Sequence, residues 1–155
     1  MKKWLKPIAA LKPCPEAIDW AKKYKSLVDA WRNCERGDWM LWWLGHLSSP
    51  PNSDSHKRLV LAACACTRLA LPYIPVGEKR PLTAIETAEQ WARSEEGITL
   101  DDVRLAAHAA HTAADAAHAA SYATADAAYA TYATVRAQIL AQCADIVRTY
   151  YPEVK

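Results

Sequence analysis

The chain has no phenylalanine, only four glycines in 155 residues, no CxxC pair and no large surplus of either charge. Scarce glycine and an alanine content of about a fifth favour helix over the turns that sheets need, so sheet architectures are not expected. Nineteen basic against 17 acidic residues leave a formal +2, short of the clustered positive surplus of a nucleic-acid binder, and no nucleic-acid partner is expected. The five cysteines, an odd number without paired spacing, argue against a disulfide framework or a zinc finger and for a reducing compartment. They read as small buried apolar side chains, with Cys64 and Cys66 pointing to nearly opposite sides of one helix. The most apolar window, Trp39 to Leu44, falls far short of the roughly 18 residues a membrane span needs. The apolar opening is interrupted by Lys6, Pro7, Lys12 and Pro13, so a secretory signal is not expected either, and a cytoplasmic protein without a membrane partner is. HExxH, GxSxG and a phosphate-cradling glycine loop are all missing, and neither a catalytic residue nor a cofactor is assigned.

What the chain does contain is helical periodicity and seven tryptophans. Pro15 suits the first turn of a helix, because its missing N–H would be unpaired there. Ser26 is placed to cap the next helix, whose stripe is Leu27, Ala30, Trp31 and Cys34. Gly37 can end that helix in a left-handed conformation, and Asp38 can cap a third, apolar on all sides and therefore expected in the core. Residues 47–54, with Pro50 and Pro51, read as a linker, after which Asp54 or Ser55 caps a helix from His56 to Leu71. A helix over Leu82 to Ser94 turns Ile85, Ala88 and Trp91 or Ala92 inward and stops at Gly97, and Thr99 with Asp102 forms a capping pair. The expected fold is all-α: one domain, 1–155, compact and orthogonal or bundle-like, of about six or seven helices ending in one or two long alanine-rich ones. Its segments are Trp-rich helices in 1–47, middle helices in 54–94 and the alanine-rich tract in 99–151.

Leu100 to Tyr151 contains neither glycine nor proline, so local physics permits a helix roughly 75 Å long. That exceeds a compact domain, and a break is expected at Ser121 to Thr124, where small polar side chains compete for backbone groups. Along this tract His108, His111, Asp115, His118, Tyr122, Asp126, Tyr129, Tyr132 and Arg136 share one face. Imidazoles and a carboxylate one turn apart can bind a divalent ion, which makes His108, His111, Asp115 and His118 a candidate metal site. The competing reading is a polar ridge, exposed or hydrogen-bonded to Tyr122 and neighbouring helices. His46 and His56, near the proline linker, read as solvated.

The block WRNCERGDWMLW from Trp31 to Trp42 resembles the W-x-x-C-x-x-G-D-W-L-L-W signature of the immunity-protein-five-like family. LAACACTRLALP from Leu61 to Pro72, the alanine tract with periodic Asp and Tyr, and DIVRTYYP from Asp145 to Pro152 resemble its further blocks, so the likeness covers nearly the whole chain. Members of that family are proposed to protect bacteria against polymorphic toxins. The resemblance implies a bacterial or phage-encoded immunity protein that covers a cognate toxin without catalysis, as a monomer or homodimer. Histidine at positions 108, 111 and 118, where the family tends to repeat Asp or Tyr, is a departure.

For partner contact the candidates are Glu35, Arg36 and Asp38 rimming a groove with a tryptophan anchor, and Asp115, His118 and Tyr122 on the alanine-rich stripe. The structural alternative for the first group is that Gly37 and Asp38 serve helix ends while Trp39, Trp42 and Trp43 fill the core. Asp145 and Arg148, three apart, read as a pair within one helix. Two other functions fit the pattern: a metal-dependent enzyme built on the histidine stripe, and a scaffold self-associating through the alanine-rich helix.

Overall fold

Pro15, with no N–H to leave unpaired, opens α2 (Pro15–Ala21), which follows a short α1 (Leu5–Ala10). The structure, a computed structural model, describes residues 1–48, 50, 52–121 and 129–154, without the side chains of 111–121 and 129–133. Ser26 accepts the Asp29 N–H at 3.1 Å and starts α3 (Leu27–Asn33), and α4 spans Gly37–Leu47. Beyond the prolines come α5 (Asp54–Arg68), a 3₁₀ turn (Leu71–Tyr73) and α6 (Arg80–Ala92). The alanine-rich part supplies α7 (Leu100–Ser121) and α8 (Tyr129–Tyr150). The fold is all-α, with eight α-helices among the described residues, and none of these is long and apolar enough to cross a membrane. The break expected at Ser121 to Thr124 lies outside the described residues beyond Ser121.

The capping pair of α7 forms as its spacing requires: Thr99 N–H donates to Asp102 Oδ2 at 2.8 Å and Asp102 N–H to Thr99 Oγ1 at 3.3 Å. Three helix ends differ from expectation. Ser53, not Asp54 or Ser55, caps α5 by accepting the His56 N–H at 3.2 Å, since a hydroxyl three residues ahead of a free N–H competes as well as a carboxylate. At the end of α6 it is Ser94, at φ 62°, that takes the left-handed position, its N–H on the Trp91 carbonyl and the Glu95 N–H on that of Gln90. Gly97, at φ 83°, turns the loop that follows.

The third difference is Gly37. It opens α4 rather than closing α3, and its φ is not left-handed. A Cβ there would lie 2.4 Å from Cys143 Cβ and 2.7 Å from the Ala144 nitrogen, so glycine is required by the contact of α4 with α8. Asp38 accordingly sits in the first turn of α4 without capping it, and Arg36 occupies the cap position.

That contact is the centre of the molecule. Trp31, Cys34, Met40, Leu44, Cys66, Cys143, Ala144 and Val147 form the buried cluster, drawn from α3, α4, α5 and α8 and the residue after α3. Ala62 and Ala144 are 0% exposed, which lets the helices around them close up. The expectation that α4 is buried on every side is corrected: Met40 and Leu44 face the core, whereas Trp39, Trp42 and Trp43 are half-buried. Three long-range hydrogen bonds tie the WRNCERGDW block to the chain's other end. Trp31 Nε1 donates to the Tyr151 carbonyl at 3.1 Å, and both terminal guanidinium nitrogens of Arg148 donate to the Cys34 carbonyl at 2.9 and 2.8 Å. Arg148 also pairs with Asp145 at 3.6 Å, as the spacing of three predicts.

On the other side of α5, Glu89 of α6 is buried and held by Arg68 through two 2.8 Å bonds, with Arg93 at 3.6 Å. The Arg68 hydrogen bonds, opposed by burial, keep the Glu89 carboxyl below its ordinary range. The thiol of Cys64 on α5 lies 3.8 Å from the Ile85 carbonyl of α6, and α7 continues the stack by packing on α6.

Candidate functional site

Tryptophan side chains are too large and rigid to close every gap between short helices, and α2 to α4 together with the residue before α1 contribute six of the seven to one region. Trp4, Trp20, Trp31, Trp39, Trp42 and Trp43 line a cavity of about 460 Å³, within the usual range for ligand and anchor pockets. The rings brace one another: Trp20 meets Trp39 edge-on at 5.8 Å, Trp31 meets Trp43 edge-on at 5.8 Å, and Tyr24 lies 4.6 Å from Trp20. The Trp4 indole N–H is buried with no hydrogen-bond partner, an unmet donor in the wall.

Arg36 and Asp38 are the charged side chains of this lining. They satisfy each other, Arg36 Nε donating to Asp38 Oδ1 at 2.8 Å and Nη2 to Oδ2 at 2.6 Å, and the guanidinium lies over the Trp39 ring at 4.2 Å. Burial raises the Asp38 carboxyl, but the Arg36 hydrogen bonds and charge outweigh it and leave the group below its ordinary value. Glu35 is exposed beside them in the short connection between α3 and α4. The corner is held from behind by the Arg148 bonds to the Cys34 carbonyl.

The histidine stripe stands differently. His108 is exposed on α7, while the side chains of His111, Asp115 and His118 and all of Tyr122 lie outside the described residues. The structure therefore places Arg36 and Asp38 together in the cavity lining with the exposed Glu35 next to them in the chain, and of the stripe candidates it describes only the His108 side chain. His46 is exposed, its Nδ1 2.8 Å from the Trp42 carbonyl, and His56 is half-buried against the edge of Trp91.

The cysteines divide. Cys34, Cys64, Cys66 and Cys143 are buried, and burial raises all four thiols, Cys64 to about 11 and Cys66 to about 12. Cys66 and Cys143 meet across α5 and α8, the Cys66 thiol 3.6 Å from the Cys143 carbonyl. Cys14 departs from the expectation: it is exposed at the N-terminal end of α2 and lines the cavity.

The cavity was not legible from the sequence, where tryptophans at helical spacing read as core. The signal that pointed to it was the density of tryptophan in the first 43 residues, more than the short α1 to α4 can bury. Comparison of the chain with family models, curated proteins and solved structures found no match.

Proposed function

We propose that this protein works by contact, without chemistry of its own and without a cofactor, binding a cognate bacterial toxin and neutralising it, as the likeness of its WRNCERGDWMLW block to the immunity-protein-five-like family implies. The observation that supports this reading is the corner at Glu35 to Trp39: a paired cation and anion and a guanidinium-covered indole at a tryptophan-lined cavity. Interfaces draw most of their energy from such groups, aromatic and arginine anchors in desolvated pockets with a polar rim. The corner is also preorganised, since the Trp31 and Arg148 bonds anchor the chain just ahead of it, and preorganisation lowers the entropy lost on association.

The test is co-expression with the product of the adjacent gene. The expected result is relief of that product's toxicity and a stable one-to-one complex in solution, weakened about a hundredfold by Trp39→Ala and about tenfold by Asp38→Lys. A toxic adjacent product that neither binds the purified chain nor is relieved by it overturns the reading.

A further inference from the structure

The total charge of +2 conceals a division. Residues 1–25 carry seven lysines against two carboxylates, Glu16 and Asp19, so this stretch is +5 and the rest of the chain is net negative. All seven lysines are exposed. They stand on or beside α1 and α2, which supply Ile8, Ala17 and Trp20 to the cavity alongside the preceding Trp4. Asp19 is taken by Lys22 at 2.7 Å, and Lys2 Nζ reaches the Lys22 carbonyl at 2.6 Å. Lys3, Lys6, Lys12, Lys23 and Lys25 form no ion pair with a described carboxylate. Inside the cavity the situation is reversed, because Arg36 and Asp38 neutralise each other and the remaining lining is apolar or sulfur-bearing.

A net-positive segment that also walls the cavity steers an acidic partner and raises its association rate, while a charge-balanced apolar cavity rewards an uncharged side chain. From this juxtaposition we infer that the α1–α2 face with its tryptophan cavity docks a protein whose contact surface is acidic around one projecting apolar side chain. The inference rests on the contact reading above and names the partner's chemistry. Nucleic acid fits less well. Its phosphates suit the lysines, but bases stack on open ring faces, and here Trp20 meets Trp39 edge-on, Trp31 meets Trp43 edge-on and the Arg36 guanidinium lies over Trp39.

The experiment uses the full chain and fluorescein-labelled peptides. One has glutamates flanking a single central tryptophan; in a second, serine replaces the tryptophan; in a third, lysines replace the glutamates. A labelled oligothymidylate is the nucleic-acid probe. Fluorescence anisotropy is expected to show binding of the first peptide, with the serine version about tenfold weaker and the lysine version not bound. Triple reversal Lys6→Glu, Lys12→Glu, Lys23→Glu, at exposed positions and with an unchanged thermal unfolding midpoint as the check on folding, is expected to weaken binding about tenfold or more and to flatten its salt dependence. Filling the cavity by Ala17→Trp should weaken it similarly, and alkylation of Cys14 in the folded protein gives the same test without a substitution. No binding of the first peptide, equal binding of the serine version, tighter binding of the oligothymidylate, or indifference to charge reversal or to filling each overturns the inference. A complex with the adjacent-gene product that survives both reversal and filling overturns this face alone and leaves the contact reading. Peptide binding as expected, with no such complex, removes the toxin and keeps the face.

Discussion

The contact of α4 with α8 and the cavity wall that α1 to α4 build together solve the same problem, packing around α4, with opposite materials. At the contact the residues are small, Gly37 against Cys143 and Ala144, and the helices approach until no Cβ fits. At the wall they are large indoles that brace one another and leave about 460 Å³ open. Density is obtained by removing side chains, and a hollow by adding rigid ones. The first arrangement tolerates no extra atom and the second has room for several, so equal additions of carbon should have unequal costs.

Gly37→Ala should break the tight side of this contrast. Alanine's helix advantage of about 1 kcal/mol cannot offset a Cβ whose nearest neighbours include backbone, and a net loss of about 3 kcal/mol is expected in urea unfolding. Arg148→Ala, which strips the Cys34 carbonyl of its charged donors, should cost about 2 kcal/mol and loosen the corner from behind. Glu89→Gln provides a yardstick outside both regions, at about 1 to 2 kcal/mol through loss of the charge-assisted bonds from Arg68. Because the folded Glu89 carboxyl is held below its unfolded value, its stabilisation is present above the ordinary carboxylate range and fades as pH falls through the folded value. The variant's stability should therefore change less than that of the parent over that acidic window. Ala17→Leu, on the open side, should change stability by less than about 0.5 kcal/mol, because the added carbons enter space already present. A cost matching that of Gly37→Ala would abolish the contrast.

Where the sequence was legible, one local interaction decided the outcome. Ser26, Thr99 and Asp102 each place an oxygen three residues from an unpaired N–H, and no distant packing competes with that geometry. Periodicity likewise sufficed for the all-α architecture and for the inward Ile85, Trp91 and Ala92 of α6. Gly37 was misread because a left-handed helix end and a close helix contact both require glycine, and only the partner helix, more than a hundred residues away, distinguishes them. Ser94 was missed because a serine can take the left-handed position that the composition reserves for Gly97. The corner at Arg36 and Asp38 was visible as a block, but its cavity depends on how four short helices meet, which no spacing encodes. The charge division was present in the first 25 residues and was lost in summing over the whole chain.

The paired indoles also alter how this molecule interacts with light. Rings held at 5.8 Å and inclined at 61° and 63°, as in Trp20 with Trp39 and Trp31 with Trp43, are close enough for their excited states to mix. Their coupled transitions would add a bisignate band to the far-ultraviolet dichroism of the peptide groups, so helix content read from the spectrum alone would be biased, and loss of that band on heating would report the parting of these rings rather than the melting of any helix.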